Sequence, residues 1–129
     1  MNESPSPFSW RARGRSFIYA WKGIKTLIIS EHNARIHSVA ALLAIICGFI
    51  FSIAPGEWIA VILCIGIVFM AEAMNSAIEA LADHASSDYH PLLGKAKDIA
   101  AAGVLFTAIA AAIVGCIIFL PRIISLFIN

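Results

Sequence analysis

AEAMNSAIEALAD, residues 71–83, follows an unbroken apolar run from Ile59 and brings in Glu72, Asn75, Glu79 and Asp83 at spacings of three, four and four. At about 100° per residue these four side chains line one narrow face of an α-helix. An ionisable group inside or at the edge of a membrane span carries a desolvation penalty of several kcal/mol, so it faces a polar cavity, a cation or a partner. Function is therefore the default reading of this face. A pair of solvated charges at a helix edge is the bland alternative, and the shared face with Asn75 at membrane depth argues against it.

The surroundings of this stretch set the fold class. Of the 129 residues 60% are hydrophobic and 13% charged, and mean hydropathy is +0.88. So short a chain has too little interior to hide that excess from water, which predicts one integral membrane domain. The formal net charge of +1 offers no nucleic-acid partner. Cys47, Cys64 and Cys116 lie within apolar runs without metal-ligand spacing and read as buried apolar thiols. No cleavable signal peptide is expected.

Residues 1–15 read as a loose cytoplasmic N-terminus, with Pro5, Pro7 and Gly14 and alternating Arg11, Arg13 and Arg15. From 16 to 30, Phe17, Ile18, Trp21, Ile24, Leu27 and Ile28 recur at helical spacing with Lys22 and Lys25 towards the other side, which predicts an amphipathic helix in the membrane interface. Spans are predicted at about 36–54, 58–82 and 99–120, with a turn at Pro55-Gly56-Glu57 and a loop from His84 to Lys95. Small residues crowd the first part of the third span and allow close helix packing. The predicted class is an all-α membrane protein of three transmembrane helices plus one interfacial helix. Basic residues cluster before the first span and between the second and third, Arg122 alone dissenting. The N-terminus and the acidic face are thereby expected in the cytoplasm and the C-terminus outside.

Carboxylates gathered at a membrane edge favour a cation, and Mg²⁺ prefers oxygen ligands, taking one or two carboxylates plus substrate phosphates. A carboxylate outside the metal shell can accept a proton from a substrate hydroxyl during phosphoryl transfer. Lys97 and the arginines can neutralise phosphate charge. No GxxxxGK[ST], GxGxxG or protein-kinase catalytic loop is present, so spacing alone does not lead to ATP. His32, His37, His84 and His90 form no HxxxH pair and read as interfacial or hydrogen-bonded histidines rather than zinc ligands. Asp98 is expected to cap the third span at its N-terminus. A small proton-coupled transporter, with Glu72 as the proton carrier, is the competing reading.

Glu72-Ala-Met-Asn75-Ser-Ala-Ile-Glu79-Ala-Leu-Ala-Asp83, followed by Ala96-Lys97-Asp98-Ile-Ala-Ala-Ala-Gly-Val104, resembles the ExxNxAIExxxD…AKDxxAAxV signature of the prokaryotic diacylglycerol kinase and undecaprenol kinase family. The resemblance runs from Ser16-Phe17-Ile18-Tyr19-Ala20-Trp21-Lys22-Gly23 to the end of the third span. It implies a homotrimer in the bacterial inner membrane that transfers the γ-phosphate of ATP to a lipid alcohol with Mg²⁺. By motif, Glu72 corresponds to the catalytic base, Glu31 and Glu79 to the metal ligands, and Asn75 and Asp83 to supporting residues of the same face. Arg13, Tyr19, Asp88, Tyr89, His90, Lys97 and Asp98 fall with Glu31 and Glu79 where the family contacts ATP, and Ser16, Trp21 and Arg35 fall with Glu72 on the lipid side. Residues 31–37 and Glu57-Trp58 resemble the undecaprenol kinase branch, whereas Ser76 and Asp88-Tyr89-His90 resemble the diacylglycerol kinase branch. Undecaprenol is the favoured alcohol, with diacylglycerol the alternative.

Overall fold

The computed structural model describes residues 9–86 and 90–128, all of its regular structure being helical: α1 Trp10–Ser30, α2 His32–Ile50, α3 Pro55–Ala85 and α4 Pro91–Ile128. The last three are each long and apolar enough to cross a membrane. At 1.5 Å per residue α2 spans about 28 Å, close to the roughly 30 Å hydrocarbon layer, whereas α3 and α4 reach about 46 and 57 Å. The longer pair therefore extends beyond the apolar layer.

Helix α1 begins at Trp10, earlier than residue 16, because Ser9 caps it. The Ser9 hydroxyl accepts from the Ala12 N–H at 3.4 Å, and Ser9 O accepts from Arg13 N at 3.1 Å. Arginine is a good helix former, so the basic segment continues the helix instead of a loose tail. Nothing on α1 is buried by the rest of the chain. Exposed Trp10, Phe17, Tyr19 and Trp21 suit the headgroup boundary of a bilayer.

Between α1 and α2 the helical path is broken at one residue, Glu31, whose φ of −94° and ψ of 122° are extended. Its N–H still donates to Leu27 O at 3.0 Å, and its carbonyl accepts from Arg35 N at 3.4 Å. The elbow thus keeps backbone pairing on both sides, and Glu31 Oε1 accepts from Ser30 Oγ at 3.1 Å.

The α2–α3 turn lies at residues 51–54, and Pro55-Gly56-Glu57 already belongs to α3. Proline at the first helical position loses an N–H that has no intrahelical partner there anyway. Glu57 Oε2 accepts from the Ala54 N–H at 2.8 Å, securing that end. On the other side, Ser52 adopts φ 47°, Ile53 N donates to Gly48 O at 3.1 Å and Ser52 N to Phe49 O at 3.2 Å. This is a Schellman closure with serine in the left-handed place that glycine usually takes.

Ile53, Val61, Ile118 and Phe119 form a small core beside this turn, with Phe51, Trp58 and Val114 packed around it. Trp58 lies directly over Gly48: a Cβ there would stand 2.7 Å from the indole Cη2. Since Trp58 also packs on Phe49 at 4.9 Å between ring centroids, it has little room to retreat. Gly48→Ala is expected to lower stability by about 1–3 kcal/mol, read as a drop in the thermal midpoint in detergent.

Arg122, the dissenting charge, is held by Glu57 through two hydrogen bonds, Nη1 to Oε1 at 3.0 Å and Nη2 to Oε2 at 2.8 Å. The fork-to-fork pair joins the start of α3 to α4 one residue after Pro121. Helix α4 continues through that proline to Ile128 instead of ending at Leu120. At its other end α4 starts at Pro91, inside the expected loop. There His90 Nδ1 accepts from Leu92 N at 3.3 Å, and Asp98 lies well inside the helix, so it is not the cap. Cys47 and Cys64 are half-buried and Cys116 is exposed, which corrects the expectation of three buried thiols.

Candidate active site

Helix α3 carries the acidic face out of the apolar layer step by step. Glu72, about 26 Å along the helix from Pro55, is 2% exposed, and Asn75 is 8% exposed. Glu79 is half-buried and Asp83 is exposed. Burial thus falls from Glu72 to Asp83 along the one face, as a site reached from both bilayer and water requires.

Neighbouring elements converge on it. Asn75 Nδ2 donates to Glu79 Oε1 at 3.0 Å, tying two turns of the face together. Glu31, at the α1–α2 elbow, and Glu79 both lie close enough for their charges to bear on Glu72. His37 of α2 places Nε2 3.3 Å from Glu72 Oε1. Lys97 Nζ donates to Asp83 Oδ1 at 2.8 Å, linking α4 to the outer end of the face. Among the described residues Glu72 Oε1, Asn75 Oδ1 and Ser76 Oγ are buried without a hydrogen-bond partner. Buried acceptors without donors are costly, and a substrate hydroxyl is a donor that fits them.

The other expected site residues divide by location. Arg13, Ser16, Tyr19 and Trp21 are all exposed on α1, none packed into this face by the chain itself. Ser16 Oγ donates to Ala12 O at 3.1 Å, and the Tyr19 ring has Lys22 Nζ 5.8 Å from its centroid. Arg35 Nη2 lies 2.8 Å from His32 Nδ1 on the exposed side of α2. His90 and Asp98 are exposed near the start of α4. Asp88 and Tyr89 lie outside the described residues.

His37 is the neighbour that reading along the sequence did not assign to the site. Counting outward from the α2–α3 turn puts His37 and Glu72 within about one helical turn of the same height. That count, once the turn is placed correctly, is the signal by which the pair is found.

No group of three His, Cys, Asp or Glu side chains suited to a metal is assembled among the described residues. This excludes a closed protein cage there. It is compatible with Mg²⁺, which takes few carboxylates and completes its shell with water and phosphate oxygens. The all-oxygen character of Glu31 and Glu79 suits the same ion.

The chain is 38% identical over 109 residues to the undecaprenol kinase of Bacillus subtilis, covering 84% of this chain and 89% of that one. It is also 38% identical over 100 residues to the diacylglycerol kinase of Escherichia coli K12, covering 78% and 82%. A diacylglycerol kinase of Synechocystis matches at 34% over 114 residues, covering 88% of this chain and 65% of that one. The family model for prokaryotic diacylglycerol kinase matches residues 18–119, which takes in Glu31, the whole α3 face and Lys97. Three apolar crossing helices and this match together make it a multi-pass membrane protein. The chain belongs to the prokaryotic diacylglycerol kinase family.

Proposed function

We propose that this protein transfers the γ-phosphate of ATP to the hydroxyl of a membrane lipid alcohol, with undecaprenol as the favoured acceptor. Membrane lipid kinase activity is what its family membership carries. The observation that supports Glu72 as the base is its burial at the edge of the apolar layer, with Oε1 making no well-aligned hydrogen bond although His37 Nε2 stands 3.3 Å away. A lipid hydroxyl arriving from the bilayer supplies a donor and gives its proton to the carboxylate as its oxygen attacks phosphorus.

Glu31 and Glu79 are the residues that would hold Mg²⁺. When bound, the ion neutralises phosphate charge and orients the nucleotide. Asn75 steadies Glu79 through the 3.0 Å hydrogen bond. Asp83 holds Lys97 at the aqueous end, where its ammonium meets phosphate oxygens. His90 and Asp98, near the start of α4, belong to the nucleotide side of the same reading, together with Asp88 and Tyr89.

Exposed Arg13, Tyr19 and Trp21 on α1, and spans that bury at most 22% of their apolar window within the chain, favour a homo-oligomer, the trimer that the family resemblance implies. In that assembly α1 lies against a site and completes it, with Ser16 and Arg35 on the lipid side. Basic residues clustered before the first span and between the second and third support a cytoplasmic N-terminus and acidic face, in the bacterial inner membrane that the family resemblance implies. Arg122, the basic residue that dissents from this orientation, is paired with Glu57 at 2.8 Å.

The acceptor is settled by competition. Purified protein with MgATP receives undecaprenol and diacylglycerol at equal mole fraction in the same mixed micelles, and the two lipid phosphates are separated and counted. Undecaprenyl phosphate in clear excess is the expected result. Excess phosphatidate would assign the enzyme to diacylglycerol instead.

A further inference from the structure

Among the described residues, His37 is the side chain beside the buried end of the acidic face that can carry a proton away from it. His37 leaves 21% of its side chain exposed, Glu72 leaves 2%, and their polar atoms stand 3.3 Å apart. The alignment falls short of a hydrogen bond, since Glu72 Oε1 is without one, but a small rotation of either group makes it. His37 also lines the apolar groove of about 530 Å³ between α2, α3 and α4, whose α4 wall, from Ala108 to Ile123, is lined by apolar residues alone. That wall offers no ionisable group. The charged groups bearing on Glu72 are Glu31 at the elbow and Glu79 on α3, both acidic, and His37 itself on α2. The imidazole is thus the basic partner beside the buried carboxylate, and it is the more exposed of the two.

The geometry points to His37 as the proton relay behind Glu72, an inference that rests on Glu72 being the base. As the lipid oxygen bonds to the γ-phosphorus, its proton passes to the Glu72 carboxylate, and the bond from phosphorus to the bridging oxygen breaks with its electron pair leaving on ADP. The carboxylic acid then gives that proton to unprotonated Nε2 of neutral His37. The imidazolium releases a proton to water, and Glu72 returns to its carboxylate for the next turnover. Histidine suits this step because one ring nitrogen can accept a proton while the other holds or releases one.

The test compares His37→Gln, His37→Asn and Glu72→Gln with the wild type in the same micelles. Both His37 variants are expected to lose about tenfold or more in kcat while KM for MgATP stays within about twofold, since a relay acts on proton transfer and not on nucleotide binding. Their kcat should lose the histidine inflection in its pH profile, and added imidazole should restore part of the rate. A folding defect would raise KM and would not be rescued by imidazole, so that outcome overturns the relay. Wild-type kcat and pH profile in His37→Gln overturn it as well, even with Glu72→Gln inactive. If Glu72→Gln itself remains active, the assignment of the base fails, and the relay with it.

Discussion

Glu72→Gln is expected to reduce kcat by about 10²- to 10⁴-fold while leaving KM for MgATP within about twofold of the wild type. The substitution keeps the size and shape of a side chain that is 2% exposed, so packing around it is retained. On the proposed mechanism, what it removes is the charge that takes the substrate proton. The same change relieves a buried carboxylate of its desolvation cost, so the thermal midpoint in detergent should stay level or rise. A variant that is inactive and less stable would point to a structural role for Glu72. Steady-state kinetics with a saturating lipid alcohol, alongside a melting curve, separate the two.

Glu79→Gln is expected to act on the nucleotide. Glu79 is half-buried and its Oε1 is already engaged by Asn75. On the proposed assignment its second oxygen is the one that would hold the metal, and an amide there would offer a weaker, neutral ligand. Apparent KM for MgATP should rise by about 10- to 100-fold, with part of the loss recovered at high free Mg²⁺. Asn75→Ala should move KM in the same direction by less, because it removes only the support. If Glu72→Gln and Glu79→Gln weaken ATP binding equally, the division between base and metal ligand is wrong.

The α3 face was legible because helical spacing is a local property: Glu72, Asn75, Glu79 and Asp83 align whatever surrounds them, and apolar length alone locates three crossing helices. The element ends were less legible, and proline is the common reason. Pro55 and Pro91 read as breakers, yet each opens a helix at its first position, where the missing N–H costs nothing. Pro121 lies inside α4, one residue before the Arg122 that Glu57 clamps. Contacts across helices escaped sequence reading altogether. Nothing near His37 in the chain announces Glu72, and nothing near Lys97 announces that Asp83 accepts its hydrogen bond. Both pairs depend on the height and rotation of separate helices, which the turn at 51–54 and the packing of α3 on α4 determine.

The most direct measurement is transfer of label from γ-labelled ATP into extractable lipid by the purified, folded protein in mixed micelles, with Mg²⁺ and either undecaprenol or diacylglycerol. The account predicts a phosphorylated lipid that accumulates with ADP in equal amounts and vanishes when Mg²⁺ is chelated. No lipid product from either alcohol, with proton movement across proteoliposomes abolished by Glu72→Gln, would contradict it and make α3 a transport helix.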